Sequence, residues 1–165
     1  MPNESRCLTV TALLAVLLLV AGAFKIPSPF IGGEFQLSAP MAVLICALFG
    51  FKKYITAGII ASLLGLMLGT ATVFNVLIAM VFRLTVGAVL YLAKTHPVSL
   101  MLAGPIGTFA ARLVLAQITG VSWQILTLAA LPGMLFTTVV SAALYKPFQK
   151  LMQRACFRGC TEQVK

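Results

Sequence analysis

Long apolar runs broken by short polar segments set the pattern of this chain. The runs cover residues 8–23, 40–51, 55–70, 72–93, 98–119 and 123–145, and the breaks between them are rich in Pro, Gly, Lys and Thr. A bilayer's hydrocarbon core takes about 20 apolar residues of helix. The pattern therefore predicts an all-α integral membrane protein: one six-transmembrane-helix bundle over residues 1–165, with a basic tail at 146–165. The second run ends at Lys52-Lys53 and is short unless the end of the preceding loop dips into the membrane. For the first run a secretory signal is the alternative, since Ala21-Gly22-Ala23 imitates a cleavage site. Against it, Glu4 offsets Arg6, and the run continues smoothly into a loop that makes sense only between two retained helices.

That loop, Phe24 to Pro40, reads FKIPSPFIGGEFQLSAP. It brings Lys25, Glu34, Gln36 and Ser38 between two apolar helices, and its prolines and the Gly32-Gly33 pair disfavour a continuous helix. Irregular backbone beside hydrocarbon survives only where protein or a watery cavity satisfies its amides. A structured outer loop between helices 1 and 2 is expected, serving as lid or wall of a binding site; a plain connector is the other reading.

Inside the runs, polar and small residues fall into stripes. Cys7, Thr11, Ala15 and Gly22 mark one on the first helix, facing a neighbouring helix or a separate subunit, and Gly58, Ala61, Ser62, Gly65 and Gly69 mark a tight-packing surface on the third. On the fourth, Asn75, Ala79, Arg83, Gly87 and Tyr91 recur every four residues; on the fifth, Gly104, Thr108, Arg112 and Ala116 do the same. Pro132-Gly133 predicts a kink in the sixth.

Composition narrows the function. The chain is 61% hydrophobic and 9% charged, and its net charge of +9 sets 12 Lys and Arg against Glu4, Glu34 and Glu162. In a membrane protein that excess is read as topology rather than nucleic-acid binding. With both termini in the cytoplasm, Arg6, Lys52, Lys53, Lys94 and the tail lie inside, and only Lys25 and Glu34 lie outside. Cys7, Cys46, Cys156 and Cys160 form no CxxC pair, and the one histidine, His96, falls in a turn, so neither metal nor cofactor is expected. There is no Walker, GxSxG or HExxH motif, and three acids leave little for acid–base chemistry: the chain is not read as an enzyme.

With that orientation Glu34, Gln36, Asn75, Arg83, Arg112, Gln117 and Gln124 all fall in the outer half of the bundle, with Trp123 as an apolar wall. Arginine at membrane depth costs at least about 2.5–3.5 kcal/mol on insertion scales, so each needs a partner. Glu34 is the one acid available there, and the remaining positive charge suits a ligand carboxylate. The structural alternative has both arginines bonded to backbone carbonyls at kinks or snorkelling outward.

The first helix with its small residues, then KIPSPFIGGEFQLSAP, then AVLICALFGFKKYITAGIIASLLGLMLG, resembles the substrate-binding S components of energy-coupling factor transporters. The specific part of the resemblance covers residues 11–70. It implies a six-helix membrane protein that captures a vitamin or related micronutrient in an outward-facing pocket closed by the loop between helices 1 and 2. It also implies docking, through a small-xxx-small pair on helix 1, onto a transmembrane coupling subunit that carries two ATPases. Thr11 and Ala15 match that spacing, with Thr11 standing where the family usually has alanine. Phe35-Gln36-Leu37 resembles the loop of biotin-binding members, whose later Gly and Pro signatures are absent here, so biotin is not assigned. The expected function is capture of a micronutrient with an anionic group for ATP-driven uptake across the plasma membrane. A small oligomeric channel or facilitator for an anionic solute is the alternative, and an assembly factor with no ligand is a third.

Overall fold

The computed structural model describes the backbone of residues 2–27, 34–93 and 97–154, and the statements below concern these residues. Six helices are present: α1 (Pro2–Ala23), α2 (Ser38–Phe49), α3 (Phe51–Met67), α4 (Val73–Leu92), α5 (Pro97–Thr119) and α6 (Trp123–Arg154). Val73–Leu92, Val98–Thr119 and Trp123–Lys150 are long and apolar enough to cross a membrane, whereas Cys7–Ala23 and Ser38–Phe49 are apolar but shorter.

Between α1 and α2 the proline- and glycine-rich loop is not wholly irregular. Strands β1 (Lys25–Pro27) and β2 (Glu34–Gln36) pair antiparallel, with Ile26 opposite Phe35. The ladder satisfies backbone groups that a helix cannot serve at Pro27.

The boundary between the second and third runs also differs from expectation. It falls at Gly50, with φ 82° and ψ 165°, a region open to glycine, so Lys52 and Lys53 ride in the first turn of α3 instead of forming a loop. The α3–α4 connection is equally tight. Gly69 (φ 68°) follows the helix, its N–H donates to Leu66 O, and the Thr70 N–H reaches back to Gly65 O. That pair of bonds is the Schellman termination. At the other end of the chain α6 continues through Pro132 and Pro147 to Arg154, taking the first half of the expected basic tail into the helix.

At 12 residues α2 spans about 18 Å, well short of a hydrocarbon core of about 30 Å. Its composition explains why this is tolerated. Pro40, Ala42 to Cys46 and Phe49 are all buried, and α2 packs against each of the other five helices, so it is a central post with little surface to offer lipid. Around it α1 lies on α3, α4 on α5 and α5 on α6. The core joins Val10, Leu14, Val43, Phe49, Tyr54, Val86 and Leu90, and the Phe51 ring occupies the space that a side chain at Gly87 would need.

The four-residue stripe on α4 does not stay on one face. Each step of four turns about 40° past a full revolution, so Arg83 and Gly87 are buried while Tyr91, at the end of the series, is turned out. Threonines along the helices satisfy themselves. Thr11, Thr85, Thr108 and Thr137 each donate to the carbonyl four residues back, at 2.8–3.0 Å.

Candidate ligand-binding cavity

One end of the bundle is hollow. The end of α1, the start of α2, the second half of α3, the α3–α4 turn, the first half of α4, the second half of α5 and the first half of α6 enclose a cavity of about 860 Å³. The hollow follows from side-chain size: Gly22, Ala39, Ala61, Ala79, Ala111 and Gly133 line it, where bulkier residues would have filled it. The β1–β2 hairpin joins the two helix ends, Gly22-Ala23 and Ser38-Ala39, that form one side of the wall, and β2 packs against α6.

Of the residues expected to converge, the structure brings Asn75, Arg83 and Arg112 into this single wall. Arg83 is the most constrained. Only 9% exposed, it donates from Nη1 to Ser62 Oγ at 2.7 Å and makes a longer contact to the Met80 sulfur at 3.8 Å. It therefore neither snorkels nor caps a backbone kink; a side-chain hydroxyl of the facing helix holds it. Arg112, half-buried, enters from α5 on the far side.

The threonines of the lining turn their hydroxyl protons to backbone. Thr70 donates to Gly65 O at 3.2 Å, Thr108 to Gly104 O and Thr137 to Gly133 O. With these hydroxyl protons spent on backbone, the polar groups that the lining adds to them are the guanidiniums of Arg83 and Arg112, the Asn75 amide and the hydroxyls of Ser38 and Ser62. A wall of that kind, with two arginines and no acidic side chain among its described residues, has the chemistry to suit an acceptor-rich or anionic group.

Gln117 and Trp123 are placed elsewhere. Together with Leu113, Ala116, Gly120, Val121 and Ser122 they line a separate, shallow groove of about 300 Å³ at the α5–α6 turn. The reason is rotation: five residues beyond Arg112, Gln117 has turned about 140° around α5. Gln124 is exposed and belongs to neither lining. The side chains of Glu34 and Gln36 lie outside the described residues.

Ala15 is buried in the chain's own core, while Cys7, Thr11 and Gly22 of the same stripe keep accessible surface.

Ser62, Gly58 and Gly133 were read from sequence as packing or kink residues, yet they shape the site. The available signal was the pairing of a serine with an arginine on adjacent spans, since a buried arginine in lipid requires such a partner.

Protein BioX of Lysinibacillus sphaericus is 52% identical to the chain over 128 residues, a match that takes in 78% of this chain and 77% of that protein. No protein-family model matches the chain, and no solved structure matches it.

Proposed function

Since the chain belongs to the family of Protein BioX, we propose that it is the substrate-binding membrane subunit of a vitamin uptake system, taking biotin or a biotin-related molecule that bears a free acid group. The relative's Bio name supports biotin-related chemistry, which the loop sequence alone left unassigned. The single observation that carries the ligand class is the cavity of about 860 Å³ with Arg83 and Arg112 in its wall. That volume is in the range of small-molecule sites, and guanidiniums grip carboxylates with paired hydrogen bonds.

In this reading all six helices are set in the plasma membrane, both termini are cytoplasmic, and the cavity opens outward. The protein is not itself an enzyme. ATP is hydrolysed by two ATPases borne on a transmembrane coupling subunit, onto which this chain docks in the manner of an energy-coupling factor S component. A channel for anions is the less favoured reading, because beyond Arg83 the bundle axis is filled: Phe49, Tyr54, Val86 and Leu90 are packed together and buried.

The test is ligand occupancy. Protein purified in mild detergent from cells grown in rich medium is denatured, and the released small molecules are identified by mass spectrometry. A stoichiometric acid is expected, with Arg83→Ala and Arg112→Ala each lowering affinity about 10- to 100-fold and so the amount that copurifies, the worth of a charge-assisted hydrogen bond of about 1.5–3 kcal/mol. Release of nothing, together with no thermal shift on adding biotin or other acidic vitamins, sinks the reading.

A further inference from the structure

Arg83 reaches the cavity by lying across α3. A Cβ placed on Gly58 would stand 2.5 Å from Arg83 Nε, 2.7 Å from Cδ and 2.9 Å from Cζ. The arginine stem thus fills the space that a side chain at position 58 would need. One turn along the same face, Ser62 Oγ accepts from Nη1 at 2.7 Å, and one turn the other way stands Tyr54, fully buried. Residues four apart on a helix are neighbours, so Tyr54, Gly58 and Ser62 share one face of α3, on which Gly58 is the floor beneath the guanidinium and Ser62 its hydrogen-bonding end.

The other close-packed glycines have a different purpose. Gly87 receives the Phe51 ring, Gly104 the Thr137 methyl and Gly107 the side chains of Val86 and Phe82. Among the described glycines, Gly58 is the one whose missing side chain is replaced by a charged group. An arginine stem has several rotatable bonds, and in an open wall its charge would be spread over many positions. A slot one hydrogen atom deep, closed by a serine, fixes that charge at one place.

We infer that Gly58 is a positioning residue for Arg83: the absence of a side chain there, with Ser62 as the stop, sets where the guanidinium stands in the cavity wall. The assignment of this position to anion capture rests on the function proposed above; the slot itself does not.

The experiment is a double-mutant cycle of Gly58→Ala and Arg83→Ala, using the full chain in detergent, with Leu63→Ala on the exposed side of α3 as the control. Three readouts are taken: the melting temperature, the ¹⁵N resonance of the Arg83 Nε–H assigned by its loss in Arg83→Ala, and uptake of labelled biotin by cells. Gly58→Ala is expected to lower the melting temperature by several degrees and to move the Nε resonance, while Leu63→Ala leaves that resonance in place. In the Arg83→Ala background the added methyl enters vacated space, so Gly58→Ala should leave the melting temperature unchanged or raise it. For uptake, Gly58→Ala should raise the KM at least tenfold, with no further loss on adding Arg83→Ala. Equal destabilisation in both backgrounds, or an unmoved Nε resonance in Gly58→Ala, would overturn the slot. If the wild-type protein takes up no biotin but the melting cycle and the resonance behave as stated, the slot stands and the biotin reading falls.

Discussion

The two ends of this bundle are made from the same helices and have opposite interiors. Toward one end the residues facing inward are large: Phe49 of α2, Tyr54 of α3, Val86 and Leu90 of α4 and Leu100 of α5 close against one another. Toward the other, Gly22, Ala39, Ala61, Ala79, Ala111 and Gly133 are set among larger residues such as Leu18, Phe74 and Phe82, and about 860 Å³ is left unfilled. Within lipid, helices are held together mainly by packing contacts, because moving an apolar side chain from lipid to protein gains little. A hollow end therefore forfeits cohesion that the filled end has to supply. Size patterning along each helix thus divides the labour: one end holds the fold and the other holds space, with Arg83 at the boundary between them.

The strongest challenge to this division is at Tyr54. It is completely buried, and among the described residues its hydroxyl has no hydrogen-bond partner. Tyr54→Ala removes the ring and should cost about 3–5 kcal/mol, the range for deleting a large aromatic from a packed interior. Tyr54→Phe keeps the ring and removes an unsatisfied polar atom, so it should be neutral or stabilising by about 1 kcal/mol. Unfolding in mild detergent, followed by circular dichroism, measures both. A cost below about 1 kcal/mol for Tyr54→Ala would mean that the filled end is not what secures the bundle.

The opposite manipulation sharpens the comparison. A Cβ on Gly133 would meet nothing within 4 Å, and Gly133 lies in the cavity wall. Gly133→Leu accordingly has open space for its Cβ and should turn its branched end into the hollow. It also exchanges the poorest ordinary helix former for a good one, a gain of about 0.5–1 kcal/mol. The melting temperature should hold or rise while bound ligand, read by mass spectrometry of the released small molecule, falls at least tenfold. Loss of stability together with ligand would show that the space is already filled in the working protein.

Much of this arrangement was legible in the sequence, and the failures have specific causes. Six helices follow from the apolar runs, and the shared placement of Asn75, Arg83 and Arg112 follows from helix direction and depth. Depth alone, however, does not fix azimuth. Gln117 and Trp123 lie at the expected level but on another side of α5 and α6, and Tyr91 drifts off the face that Asn75 begins. The hairpin of β1 and β2 was legible only as a break in helix, because short strands joined by residues 28–33 carry no periodic signal. Gly58 and Ser62 read as a packing surface because small residues at that spacing serve both purposes, and only the position of Arg83 tells them apart.

The smallest expected effect is at Trp123, and it bears on where the hollow end stops. Half-exposed in its own groove at the α5–α6 turn, the indole stands where aromatic side chains commonly anchor a helix at the membrane interface. Among the described residues it belongs to neither the packed core nor the cavity lining. Trp123→Ala should therefore change stability in detergent by no more than about 0.5 kcal/mol, as for surface substitutions generally, and ligand affinity by less than about twofold, or about 0.4 kcal/mol. Thermal unfolding and a binding titration with biotin check both values. A tenfold loss of affinity with unchanged unfolding would place the groove within the site. Because Trp123 starts the same helix that carries Ala129 to Thr137 into the wall, such a result would require α6 to turn or slide when ligand enters. The hollow end would then be a moving part rather than a fixed recess.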